Sequence, residues 1–277
     1  MKTQNRFTNI FLLCASFALI TAACKKKNDI NWYRPIGTPL AAYVKYVNAL
    51  PGATLDFYGY YTKLIAGVGY TKDPAYTNSP FGNIVVYATN YNQTSNRIAV
   101  STSANTPQMN GQGLWADKYQ TMIACKATDS TTAETMILLR DDLTAPAAGL
   151  AHIRFVNLAQ RGTTKVKTVD FTATAGPGTP GVIFGGLSYQ VPSNAVRIDP
   201  AKGLATPNLG VYTSGPFSPV QAGTYDFEVK ETDGSQSVVV KTGVELKAGK
   251  IYTLYTSGTI GGTILPTLNM LEHTPNQ

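Results

Sequence analysis

Beyond about residue 41 the chain alternates apolar and polar positions with a period of two. Tyr225, Phe227 and Val229 fall on one face, while Asp226, Glu228 and Lys230 fall on the other. Ile153 and Phe155 alternate in the same way with His152 and Arg154, which places the last two on an outward face. This period marks a strand with one buried side. Turn signals stand between such runs, at Asp233-Gly234, Ala222-Gly223 and Ala248-Gly249. Residues 242–247 and 250–255 read as two strands around the last of these. No segment after the leader sustains a 3.6-residue period. Short strands at regular spacing predict an all-β chain built of antiparallel sandwiches.

The pattern also repeats. Residues 43–48 (Tyr-Val-Lys-Tyr-Val-Asn) run through a turn to Asp56-Phe57, and residues 152–157 (His-Ile-Arg-Phe-Val-Asn) run on to Asp170-Phe171. The two Val-Asn pairs lie 109 residues apart, a domain length and not a solenoid period. The expected organisation is therefore two tandem domains, 41–145 and 151–272. A linker at 146–150 joins them, inside the Asp-Asp-Leu-Thr-Ala-Pro-Ala-Ala-Gly stretch 141–149. Residues 174–219 are rich in Gly and Pro and read as long loops or a decorated insertion in the second domain.

The first 23 residues have the layout of a secretory signal peptide: Lys2 and Arg6, then an apolar run from 10 to 23 ending in small residues. That run is shorter than the roughly 20 residues a membrane-spanning helix needs. The alanines before Cys24 resemble the lipobox of bacterial lipoproteins, although Thr21 stands where Leu is commonest. The resemblance implies cleavage before Cys24 and acylation of its thiol, with residues 24–40 as a tether. Several acyl chains, at about 0.8 kcal/mol per buried methylene, hold a protein on a membrane permanently. Lys25, Lys26 and Lys27 follow at once and suit anionic headgroups, at about 1 kcal/mol each. Surface-exported lipoproteins of the Bacteroidetes carry acidic residues there. The lysines therefore point to a lipid-anchored envelope protein of the outer membrane facing the periplasm, with surface exposure as the alternative.

Charge and chemistry narrow the function classes. Loss of Lys2 and Arg6 with the leader leaves 21 basic against 16 acidic residues, and the lysine run supplies three of the excess. The folded part is nearly neutral, which argues against nucleic acid as a partner. Cys125 is the one cysteine left beside Cys24 once the leader and Cys14 are gone, and its apolar surroundings predict a buried, inert thiol. Only His152 and His273 are available as imidazoles, so a histidine metal site or a Ser-His-Asp triad has little material, and no metal or cofactor is expected. Asp141-Asp142 reads as a solvated turn in the joint between domains. Gly176, Gly178 and Gly181 match a dinucleotide fingerprint by letters, but Pro177 and Pro180 interrupt it and no helix follows. Ser130, in Asp129-Ser130-Thr131, resembles the short O-glycosylation acceptor of Bacteroidetes. Tyr58, Tyr60, Tyr61, Tyr70 and Tyr76 crowd one stretch, and tyrosine's flat face and hydroxyl make them the candidate ligand surface.

Residues 43–58 resemble the opening stretch of the domain of unknown function family 4397. Residues 222–229 (Ala-Gly-Thr-Tyr-Asp-Phe-Glu-Val) and 246–253 (Leu-Lys-Ala-Gly-Lys-Ile-Tyr-Thr) are similar to its later motifs. The resemblance implies Ig-like β-sandwiches in exported bacterial proteins, often lipoproteins, with no established activity. The first copy departs from the pattern: residues 115–119 (Trp-Ala-Asp-Lys-Tyr) stand where an Ala-Gly-Lys turn belongs, and 87–100 lacks the Ala-Gly-Thr-Tyr turn. The expected function is non-enzymatic: a membrane-anchored module that binds an envelope protein, a cell-wall component or a glycan, or alternatively a structural spacer.

Overall fold

The computed structural model describes residues 40–82, 84–94, 97–101, 114–130, 132–162, 167–195, 197–199, 204–206 and 215–274. The chain divides into two units, Met1–Pro39 and Leu40–Gln277. The leader, Cys24 and the tether up to residue 39 lie outside the described residues.

The described part is all β. The first half contains β1 (Ala42–Asn48), β2 (Thr54–Gly59), β3 (Thr62–Gly69), β4 (Thr77–Ser79), β5 (Val86–Asn90), β6 (Arg97–Ser101), β7 (Tyr119–Lys126) and β8 (Glu134–Asp141). The second half contains β9 (Leu150–Val156), β10 (Val169–Ala175), β11 (Gly181–Leu187), β12 (Arg197–Asp199), β13 (Leu204–Thr206), β14 (Ser218–Gln221), β15 (Gly223–Glu231), β16 (Ser237–Leu246), β17 (Ile251–Ser257) and β18 (Thr267–His273). Each half forms a sandwich of two four-stranded sheets. The sheet orders correspond: β3-β2-β5-β6 and β4-β1-β7-β8 in the first, β11-β10-β15-β16 and β14-β9-β17-β18 in the second.

The expected pair of all-β sandwiches is present, and two details of it are refined. The sandwiches are not purely antiparallel, because β1 runs parallel to β7 and β9 parallel to β17. These partners lie a whole domain apart in sequence, and hairpin signals report only neighbouring strands. Nor is 174–219 simply loops or an insertion: β11 pairs with β10, and β14 pairs with β9. They occupy the places that β3 and β4 hold in the first sandwich. Only the segment between them, which carries the β12–β13 hairpin, is additional.

The four large sheets stack as four layers. Even-numbered positions of β1 and β7 (Val44, Tyr46, Met122) face the first core with Leu55 and Phe57. Odd positions of β9 (Ile153, Phe155) face the second core with Phe171 and Phe227. The opposite faces of the two inner sheets meet each other: Val47, Ile123 and Ile137 pack with Val156, Tyr255 and Leu271 in a third apolar cluster. Strands buried on both faces read as continuous apolar runs, and β17 is buried at all seven positions. Parting this seam would expose apolar surface worth on the order of 10 kcal/mol, at about 1.5–3 kcal/mol for each large side chain.

The repeated Asp-Phe has a structural explanation, and a third copy occurs at Asp226-Phe227. In each case the Phe enters a core. The Asp Oδ1 accepts a bond from the backbone N–H of a glycine on the neighbouring strand: Gly67 for Asp56, Gly186 for Asp170 and Gly243 for Asp226, each at 2.8 Å. All three glycines have φ near +67° and sit where the strand register shifts. Each is a β-bulge whose left-handed residue requires glycine and whose freed amide the aspartate satisfies. The departure at 115–119 is explained in the same terms. Asp117 (φ 56°) takes the left-handed place of Gly249 (φ 76°). Its amide bonds Ala41 O as that of Gly249 bonds Leu150 O. Aspartate is one of the few non-glycine residues that visits this region at modest cost.

Candidate functional site

The residues with most chemistry converge on one end of the seam. Arg154 does not face outward to solvent; it is fully buried in the seam, because a second sheet covers the outer face of β9. Asp141 is likewise no solvated turn residue. It closes β8 inside the same seam, and Arg154 Nη2 donates to its Oδ1 at 2.5 Å. A closed ring of hydrogen bonds continues from this pair. Arg154 Nε donates to Thr253 Oγ1 at 3.0 Å, and Thr253 Oγ1 lies 2.7 Å from His273 Nε2. His273 Nδ1 lies 2.6 Å from Tyr76 Oη, which donates to Asp141 Oδ2 at 2.8 Å. Thr121 Oγ1 gives that oxygen a second bond at 2.6 Å.

Every donor and acceptor in the ring is matched when His273 is neutral and carries its proton on Nδ1. Burial drives the His273 pKa down to about 3. The nearby Asp141 opposes that shift, while Arg154 and Lys45 add to it. Burial alone would raise the Asp141 pKa, but the Arg154 charge and the donated hydrogen bonds outweigh it and hold the carboxyl below its ordinary value. Lys45 adds a further clasp, donating to Asp73 Oδ1 at 2.5 Å and to Glu272 O at 2.9 Å. Hydroxyl, carboxylate, imidazole and guanidinium are thus all present, but each is consumed by the others.

The far end of the seam is also polar. Gln190 Nε2 donates to Lys126 O at 2.6 Å and lies 3.4 Å from Cys125 Sγ. Cys125 is buried, as its apolar run predicted, and burial lifts its thiol pKa to about 12. Tyr255 Oη is buried with no hydrogen-bond partner among the described residues. No group of three or more His, Cys, Asp or Glu among the described residues is placed to hold a metal ion.

The five tyrosines singled out by sequence do not form one surface. Tyr58 is buried and stacks on Tyr87 at 5.2 Å, and Tyr76 belongs to the seam ring. Tyr70 is half-buried and reaches across to Ser257 Oγ at 2.8 Å. Only Tyr60 and Tyr61, at the β2–β3 tip, are exposed. Ser130 is exposed in the β7–β8 connection, while its neighbour Asp129 is buried.

A cleft of about 330 Å³ opens at the end of the first sandwich where β1 begins, lined among others by Trp115, Lys118, Tyr119, Arg140 and Asp142. The Arg140 guanidinium lies 3.9 Å from the Trp115 ring centre, and burial lowers its pKa to about 9. Asp142 accepts bonds from Thr144 N and Oγ1. The sequence alone singles out neither Arg140 nor the meeting of Arg154 with His273 in the seam. The signal for Arg154 was a lone arginine inside the apolar run of β9, which marks a paired buried charge when both faces of a strand are covered.

No curated protein matches the chain. Among solved structures, the fimbrial anchor protein Mfa2 from Porphyromonas gingivalis is similar over 84% of this chain and 99% of that one, at 8% identity and a TM-score of 0.19. Likeness at that level carries no functional argument. The family described as Domain of unknown function (DUF4397) matches residues 42–176, a span that covers the first sandwich and the opening strands of the second.

Proposed function

We propose that the chain is a non-enzymatic envelope lipoprotein. In this reading Cys24 is acylated, a membrane holds the protein, and the paired sandwiches form a binding or adhesion module for a protein, cell-wall or glycan partner. The observation that carries it is the fate of the reactive side chains. His273, Asp141, Arg154 and Cys125 are buried and bonded into the seam, where substrate cannot reach them. Catalysis needs a nucleophile or base with an open position beside it, and these groups have none. Mass spectrometry of the mature N-terminus tests the anchor: a Cys24 carrying diacylglycerol supports it, and a free thiol sinks it. Glycan arrays and pull-downs with the mature chain test the binding role. Silence in both, with a folded protein, refutes it.

The seam also supports a second reading, a structural spacer. Two sandwiches fastened by an apolar cluster and a buried ion pair transmit position better than two on a loose linker. Cross-linking in intact cells separates the readings: a spacer yields one fixed neighbour and no soluble ligand.

A further inference from the structure

We propose that the end of the first sandwich where the chain enters from Cys24 is a membrane-docking surface, which lies on the lipid headgroup region. The proposal rests on the acylated Cys24 of the preceding reading and goes beyond it, because a tether alone requires no contact between fold and bilayer.

Five large apolar side chains are exposed at this one end: Leu40, Tyr60, Tyr61, Phe81 and Trp115, with Tyr61 at 90% exposure. Backbone bonds tie them into one patch. Asp117 N donates to Ala41 O next to Leu40, and Gly82, beside Phe81, bridges to Leu114, beside Trp115. Tyr60 N donates to Val85 O, which brings the β2–β3 tip to the same loop cluster. The other exposed apolar side chains do not join it. Tyr91, Ile264 and Leu265 lie at the opposite end of their sandwiches, and Val182 and Val240 lie on the outer sheet of the second.

The composition fits an interface between water and lipid. Tryptophan and tyrosine carry an apolar ring with a polar tip, and they gather at headgroup level in membrane proteins. Lys118 is exposed in the patch, and Lys25, Lys26 and Lys27 precede it in the chain. The hairpin tip adds an independent sign. A two-residue hairpin turn whose first central residue has positive φ ordinarily places Gly or Asn at that position. Here the pair is Tyr60-Tyr61, and Tyr60 holds φ 53°. A bulky residue in that region is strained and marks a site selected for something other than stability. Finally, only fifteen residues separate Cys24 from Leu40. A linker of that length keeps its two ends at an effective concentration on the order of millimolar, so even weak docking is populated.

The test uses the mature full-length chain carrying Trp32→Phe, which leaves Trp115 as the single tryptophan, in phosphatidylcholine nanodiscs with bromine at chosen acyl depths. Intact mass reports acylation. Docking predicts a blue shift and loss of Trp115 emission, strongest for bromines nearest the headgroups. Adding Tyr60→Gly and Tyr61→Asn supplies the residues this turn's backbone favours and should reduce the quenching without loss of thermal stability. An acylated chain whose Trp115 emission is untouched by brominated lipid overturns the docking while the anchor stands. Protection of Trp115 by a protein partner in place of lipid overturns it too. A chain without acyl mass removes the anchor and this proposal with it.

Discussion

The outer and inner sheets are built from the same strands' alphabet but answer different problems. On β15, in an outer sheet, Tyr225, Phe227 and Val229 are buried and the residues between them are half-exposed. One face meets a core and the other meets water, so polarity and position agree. On β9, in an inner sheet, Ile153 and Phe155 face the core of their own sandwich, while Arg154 faces the other sandwich and is equally buried. The same alternation therefore reports a solvent face in one place and a domain interface in the other. A polar residue in a period-2 strand shows which face it occupies, not what covers that face.

The largest way to break this contrast is at Asp141. Asp141→Ala leaves Arg154 charged in a dry seam and should cost about 3–5 kcal/mol in urea unfolding. Replacing the pair together, as Asp141→Leu with Arg154→Met, should recover only part of that loss, since it removes the unpaired charge but leaves the Tyr76 and Thr121 hydroxyls without their acceptor.

Acid attacks the same place. The folded pKa of His273 lies near 3, below its ordinary 6.5, so the unfolded chain binds more protons between those values. The contribution of neutral His273 is complete above about pH 6.5 and is lost as pH falls towards 3, in the sense set by linkage. The depressed pKa of Asp141 extends the loss to lower pH. Unfolding midpoints should fall by an amount worth several kcal/mol over that range, and His273→Gln should flatten the upper part of the curve. An unchanged profile in that variant contradicts the ring.

The outer sheets should yield more gently. Asp170→Ala frees the Gly186 amide at a bulge near solvent and should cost about 1–2 kcal/mol by denaturant unfolding. The smallest effect has the opposite sign. Tyr255→Phe removes a seam hydroxyl that has no hydrogen-bond partner among the described residues, and should raise stability by about 1 kcal/mol.

Much of the fold is legible in the chain. Alternation marks the outer strands. The Val-Asn and Asp-Phe repeats mark turns and bulges that recur because Asn48 and Asn157 each fold back on the amide two residues on, and because Asp56 and Asp170 each cap a glycine bulge. The pairing of β1 with β7 is not legible, since nothing local joins them. Nor is the burial of Asp141, which sits at the edge of a Pro/Ala-rich linker whose composition signals solvent. The tyrosine stretch is dispersed for a related reason. Sequence proximity across a hairpin sends Tyr58 inward, Tyr61 outward, and Tyr70 and Tyr76 towards the second sandwich.

The seam should make the two sandwiches one cooperative body. Its most direct test is urea unfolding of the Trp32→Phe chain, followed by Trp115 fluorescence for the first sandwich and by amide exchange of β15 for the second. A shared seam predicts coincident midpoints, and Asp141→Ala should lower both. Two separate transitions, with only one moved by Asp141→Ala, would contradict it.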